Sequence, residues 1–316
     1  MNFKKLKASL LALVLILTAF STVSCAKSPT TLSSTKSQIT ASTGFLWKVQ
    51  KNGNTVYLLG SIHVANEAMY PLRPAIEAAF KSADYLGVEV DMTKIDQAPD
   101  AIQKQIFDTG GTYKDGTYLQ DHVTADTYQK VVDILKARRI PRNSFDAYKP
   151  GVVSTIISNW QILDKGYKPQ LGIDNHFMQK AISENKPILQ LETFEQQGRM
   201  LGGFSASLQE DLLNQAIADY NNPNEDLEES INYQTKMWSD GDEDALLSLV
   251  KKATKNAEFY KAMLADRNAG MLTKIVGYLT GDQKKTYFII VGGAHMLGDD
   301  GIVTMLEKDG FTVEKP

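Results

Sequence analysis

The chain contains one cysteine, Cys25, among its 316 residues, so no disulfide can form within it. Histidine is nearly as scarce, with four residues, and a pair in matching surroundings is therefore conspicuous. There is no lysine- or arginine-rich cluster, and the net charge is -3. The electrostatic footprint that holds phosphate backbones is thus missing, and no nucleic acid partner is expected. Long apolar runs are scarce as well. The run from Leu10 to Phe20 falls short of the ~20 residues that a membrane-spanning helix needs, and nothing later reaches that length. Core-forming material is plentiful at 43% hydrophobic residues, which describes an ordinary globular protein and not a disordered one.

The N-terminus has the pattern of an export signal. Lys4, Lys5 and Lys7 precede the apolar run, small residues follow from Ser21 to Ser24, and Cys25 sits where a signal peptidase would cut. Thr22-Val23-Ser24-Cys25 resembles the lipobox of bacterial lipoproteins, departing from it at Thr22, where an aliphatic residue is usual. The expectation is a signal peptide over 1–24 and lipidation at Cys25. That would leave an exported protein anchored to the outer face of the cell envelope. The alternative is a plain signal peptide cut nearby with an incidental cysteine. Residues 25–43, rich in Ser, Thr and Lys without apolar periodicity, are expected to form a flexible tether.

From residue 44 a single α/β domain is expected. Phe45–Val49 and Thr55–Leu59 alternate as strands around Asn52-Gly53, the signature of a tight hairpin. Helical spacing over Pro71–Ala83 is followed by a short apolar strand, Tyr85–Val90. Beyond Met92 the pattern turns helical, over Ala101–Phe107, Ala125–Ala137, Val152–Leu163 and Asn175–Ile182. A further strand, Pro187–Leu191, ends on Glu192. Glu195–Thr280 is helical with breaks near Asn221 and at Ser239–Asp242. The chain closes with a strand over Thr286–Val291, a helix over Ile302–Lys308 and a strand over Phe311–Val313. These elements predict a central mixed sheet flanked by helices, with a large helical insertion at about 94–280. Ligand sites in such sheets lie at strand ends.

One device occurs twice. The strand ending at Leu59 runs into Gly60-Ser61-Ile62-His63, and the strand ending at Val291 runs into Gly292-Gly293-Ala294-His295. In each, glycine permits a sharp turn that would set an imidazole at the mouth of the sheet. A third strand end, Gly87-Val88-Glu89-Val90-Asp91, offers carboxylates, with Glu89 and Asp91 expected on one face because strand side chains alternate. Two imidazoles and a carboxylate are a common ligand set for Zn, Mn, Co or Fe. On spacing alone, satisfied structural histidines are the competing explanation.

Trp47 through Asp91, with its GSIHV turn, YPL helix start and strand glutamate, resembles the opening of the TraB/GumN family, related to the Tiki proteases. The closing segment VGGAHMLGDDGIVTMLEKDGFTVE is similar to that family's last block. Gly172-Ile173-Asp174, Leu191-Glu192-Thr193 and Arg267-Asn268 with Met271 match features between the two. The resemblance implies metal ligation by His63, Glu89 and His295, and metal-dependent proteolysis with Mn or Co favoured and Zn as an alternative. The implied partners are a peptide or small ester substrate, and the membrane through Cys25. Its distant relatives include esterase-like hydrolases and a haem-binding lipoprotein. A binding protein for metal, haem or a signalling peptide is therefore the alternative function.

Four further groups complete the candidates. Glu192 is a candidate fourth ligand or general base, or else a helix-capping carboxylate. Arg267 is a candidate oxyanion stabiliser or a structural ion pair. His176 is expected at the surface, with a ligand-orienting role as the alternative, and His122 is expected to be solvated and unrelated. Asp299 and Asp300 are expected to cap a helix. After Tyr148-Lys149-Pro150 the family often has an aromatic residue, and Gly151 stands here instead.

Overall fold

The computed structural model describes residues 41–63, 65–94, 110–222 and 225–316. The export signal, Cys25, most of the expected tether and the expected helix over Ala101–Phe107 lie outside the described residues. Ser42 and Thr43, assigned to the tether by composition, are hydrogen-bonded into the fold, to the carbonyls of Pro71 and Ser239 respectively.

Strands β1 (Phe45–Lys51) and β2 (Asn54–Ser61) form the expected hairpin, and both Asn52 and Gly53 take positive φ at its turn. Helix α1 (Pro74–Ser82) leads to β3 (Tyr85–Val88). Next come α2 (Ala125–Ala137), α3 (Pro150–Asp164), α4 (Ile173–Ser183) and β4 (Ile188–Gln190). The long helical stretch comprises α5 (Phe194–Leu201), α6 (Ala206–Asn221), α7 (Glu225–Asp240), α8 (Glu243–Ala253), α9 (Ala257–Tyr260) and α10 (Asp266–Thr280). A π-helical turn, Lys261–Ala265, joins the last two. The chain ends with β5 (Thr286–Gly292), α11 (Ile302–Lys308) and β6 (Val313–Glu314).

The six strands form one mixed sheet in the order β4-β3-β5-β2-β1-β6. Strands β4, β3, β5 and β2 are mutually parallel, β1 is antiparallel to β2, and β6 is antiparallel to β1. This is the expected α/β class. Central β5 is buried on both faces from Tyr287 to Gly292, as a parallel strand covered by helices must be. Because side chains alternate, Phe288 and Tyr287 face opposite layers. Phe288 packs against Phe80 of α1 and Phe177 of α4 with ring centroids 5.6 and 5.0 Å away. Tyr287 stacks between Tyr278 of α10 and Tyr85 of β3.

The stretch expected as an insertion is woven into the sheet, since β4 lies within it and pairs with β3 at the edge. It also has its own apolar core, in which Val131, Ile134, Phe145, Ile157, Trp160 and Leu213 join α2, α3 and α6. Among the described residues no helix is long and apolar enough to cross a membrane.

Register fixes where the chemistry falls. Ser61 lies opposite Gly292, Ile290 opposite Val88, and Val88 opposite Gln190, so the four parallel strands end along one edge. The residues that follow them carry His63, His295, Glu89 and Glu192. The sheet depends on the aromatic layer beneath it, and Phe288→Ala should lower unfolding free energy by about 3–5 kcal/mol. Urea denaturation reads this directly, and a loss below about 1 kcal/mol would contradict the assignment of Phe288 to the core.

Candidate functional site

At the end of β2 the chain is anchored from α4. The Ile173 N–H donates to the Ile62 carbonyl, and Gly172 lies so close that a Cβ there would stand 2.2 Å from the His63 carbonyl oxygen. Only glycine fits that approach. Asp174, in the first turn of α4 where the helix end favours a negative charge, accepts from Ser61 Oγ at 2.7 Å and from His63 Nδ1 at 2.9 Å. The partner is a carboxylate, so Nδ1 carries the proton and Nε2 points away from it. Burial opposes a charge on this ring, but Asp174, by charge and hydrogen bond, and Glu89 outweigh it and raise the pKa to about 9.

His295 closes the short helical turn after β5 and is fixed from the other side. Its Nδ1 lies 2.6 Å from Asn268 Oδ1, and Asn268 Nδ2 donates to the Asp300 carbonyl at 2.7 Å. That second bond sets the amide, so Nδ1 of His295 is the donor and Nε2 holds a lone pair. Burial and then Arg267 push the His295 pKa down to about 3, which leaves the ring neutral.

Both rings are directed at the face of Gly292. A Cβ built there would lie 3.3 Å from His63 Nε2, 3.4 Å from Glu89 Oε1 and 3.6 Å from His295 Cδ2. Neither Gly60 nor Gly292 takes positive φ. The expected need for a sharp turn is therefore replaced, at Gly292, by a need for space, because a side chain would fill the point on which three functional groups converge. Gly60 serves elsewhere, its carbonyl accepting from Trp238 Nε1 at 2.7 Å.

Glu89 follows the last residue of β3 and is buried. Its Oε1 accepts from the Gly292 N–H at 2.7 Å and its Oε2 from Arg267 Nη2 at 2.6 Å. Burial disfavours its charge, but Arg267, His295, His63 and the Gly292 N–H together hold its pKa down at about 2. With His295 neutral, the 3.8 Å contact from its Nε2 to Glu89 Oε1 is not an ion pair. Arg267 also grips Glu192, from Nε at 2.8 Å and Nη2 at 2.6 Å, and Nη1 reaches the Met263 carbonyl at 3.3 Å. Arg267 extends from the first turn of α10 just after the π turn, a local irregularity that often marks functional sites.

Several expectations need correction. Strand β3 stops at Val88, so the alternation that placed Asp91 beside Glu89 does not extend that far. Asp91 instead accepts from Thr93 N at 3.2 Å and Thr93 Oγ1 at 2.6 Å. Glu192 does not cap α5; Thr193 does, with Gln196 completing a capping box. Both Glu192 oxygens are engaged, by Arg267 and by Gln197 Nε2. Asp299 and Asp300 do not cap α11, whose N-cap is Gly301; Asp300 accepts from Tyr260 OH at 2.7 Å. His176 packs on Tyr70 and Phe177, 3.5 Å from Glu77 Oε1, and His122 stacks on Tyr113. Neither borders the candidate site. At Gly151 a Cβ would stand 2.2 Å from the Leu201 carbonyl oxygen, so no aromatic side chain fits at that position. Asp174 and Asn268 had no role assigned from sequence, because what they do depends on contacts across more than a hundred residues in one case and a helix in the other.

The space between the rings is a cavity of about 50 Å³, roofed by Met237 and Trp238 of α7 and Leu246, Leu249 and Val250 of α8. The fold and these paired glycine-histidine turns define an α/β protein in which a half-buried His63 meets the buried His295 and Glu89. A family model described as the TraB/PrgY/gumN family matches residues 45–315, and the chain belongs to that family. It is 26% identical over 145 residues to the protein YbaP of Escherichia coli (strain K12) and equally to that of Shigella flexneri. That alignment covers 46% of this chain and 51% of each relative, so the chain spans about half the length of the curated relatives it matches. No solved structure matches the chain.

Among the described residues, no group of three or more His, Cys, Asp or Glu side chains is positioned to hold a metal ion as it stands. Glu89 is turned onto Arg267 and the Gly292 N–H. The donor chemistry nonetheless fits a divalent cation, with two directed imidazole nitrogens and an anionic oxygen around one point. Arg267 is ion-paired with both buried carboxylates, so Arg267→Met should destabilise the fold by about 3–5 kcal/mol. Denaturant unfolding measures this, and a neutral result would show that the clamp is dispensable.

Proposed function

We propose that the protein is a metal-dependent hydrolase, acting as a peptidase on a peptide or ester carbonyl. His63 Nε2, His295 Nε2 and Glu89 would hold the cation, Mn or Co by family resemblance and Zn as the alternative. The observation that carries the reading is the convergence of those three groups on the open face of Gly292, with both Nδ1 atoms already committed to Asp174 and Asn268. A cation held there would lower the pKa of a bound water and polarise a carbonyl.

The chain's own residues prepare that centre. Asp174 and Asn268 each accept from a ring Nδ1–H, which fixes the tautomer and leaves the opposite nitrogen as a donor to metal. The proton that Asp174 favours on His63 must leave Nε2 before that nitrogen can ligate, so loading of the site is coupled to proton release. Arg267 keeps Glu89 anionic and ready to ligate. Glu192, with both oxygens engaged, supports Arg267 and is poorly placed to act as a base. The α7–α8 roof excludes bulk water, which strengthens electrostatic interactions beneath it. Export and anchoring through Cys25 belong to the same proposal, supported by the pattern from Lys4 to Cys25.

Titration of chelator-stripped protein with Mn, Co or Zn should reach about one equivalent. The site should disappear in His63→Ala and His295→Ala. Asp174→Asn should weaken metal binding by about 10–100-fold while leaving the stoichiometry unchanged. Cleavage of a peptide library should require the same cation and cease with chelator. Undiminished metal binding or cleavage in His63→Ala would remove the mechanism.

A further inference from the structure

Arg267 and Glu192 line a second, larger space on the side away from the histidines. It is a cleft of about 490 Å³, within the size range of ligand sites. Its apolar lining includes the half-buried Met200 and Ala262, backed by the buried Leu191, Phe204 and Met271. Around these stand the cations Arg199, Lys261 and Lys274 and the anions Glu258 and Asp266.

These charges do not cancel. Glu258 accepts from the Ser205 N–H and Oγ, and both Asp266 oxygens accept from Lys261 Nζ. Glu192 is held by Arg267 and Gln197. Arg199 is exposed and makes no side-chain hydrogen bond or ion pair among the described residues, while Lys274 donates only to the Gln190 carbonyl at 3.1 Å. Among the described residues, two cations are therefore left without an anionic partner beside an apolar surface.

Gln197 supplies an independent observation. It is 1% exposed and lines this cleft. Its Nε2 donates to Glu192 Oε2 at 3.0 Å, which fixes the amide orientation. That leaves Oε1 buried with no hydrogen-bond partner among the described residues. A buried acceptor left unpaired is unfavourable, and native structures retain few of them without a reason.

We propose that the cleft is the substrate-recognition site for an acidic, apolar peptide segment. An apolar side chain would occupy the surface around Met200 and Ala262, a neighbouring carboxylate would be received by Arg199 and Lys274, and Gln197 would turn its buried Oε1 outward to accept a backbone N–H. The peptide class rests on the hydrolase reading, and Arg267 links the two spaces because it lines both. Selection by the cleft would then be separate from chemistry at the histidines.

The test is isothermal titration of the purified protein, with chelator present throughout, against acetyl-Ala-Leu-Glu-amide and acetyl-Ala-Leu-Gln-amide. The glutamate peptide should bind at least about tenfold more tightly than the glutamine peptide, a difference of about 1.4 kcal/mol. Arg199→Glu, at an exposed position, should remove that preference. Ala262→Trp, at a half-buried lining position, should fill the cleft and abolish binding, with its fold checked by circular dichroism, and Lys274→Gln serves as a second variant if it misfolds. No binding by wild-type protein, or equal binding of both peptides by wild type and Arg199→Glu, overturns the proposal. With chelator present, a failed metal titration leaves this result unaffected, and a failed peptide titration leaves the metal reading standing.

Discussion

The guanidinium of Arg267 is the contact on which the rest of the centre depends. Two carboxylates, Glu89 and Glu192, are buried at the ends of neighbouring parallel strands, and for Glu89 desolvation alone would favour protonation. Arg267 reaches both and offers the planar donor fork that two carboxylates can share. Breaking such a buried arrangement leaves uncompensated charge, so the clamp constrains sequence and structure together. Since Glu89 is held from behind by Arg267 and from the side by the Gly292 N–H, its Oε1 stays on the face where the imidazoles arrive.

The sheet explains why residues from distant parts of the chain meet there. Four strands run parallel, and their carboxyl ends form a single edge, the usual place for ligand chemistry in open α/β sheets. The helical stretch between β3 and β5 contributes the orienting residues Asp174 and Asn268, the clamp Arg267 and the roof of α7 and α8.

Much of this was legible in sequence, and for definable reasons. Helices α2 and α11 carry strong 3.6-residue periodicity, and their bounds agree with the pattern residue for residue. The Asn52-Gly53 turn and the long apolar run of β5 are equally local signals. The repeated Gly-x-x-His turn pointed to His63 and His295, and a strand end pointed to Glu89. The partners were not legible. Asp174 on His63 and Asn268 on His295 are long-range contacts with no spacing signature, and the pairing of Arg267 with two carboxylates depends on the register of β3 with β4. Asp91 was misplaced because alternation was carried two residues beyond the end of β3. The capping role expected of Asp299 and Asp300 failed because Gly301 begins the helix and Tyr260 takes the Asp300 carboxylate.

The central claim is that Asp174 and Asn268 turn two imidazoles, with Glu89, onto one point. Anomalous diffraction from crystals grown with Mn, collected on both sides of the metal edge, addresses it most directly. A single anomalous peak bounded by His63 Nε2, His295 Nε2 and Glu89, beside Gly292, is the expected result. A peak elsewhere, or none at saturating metal, would contradict the account.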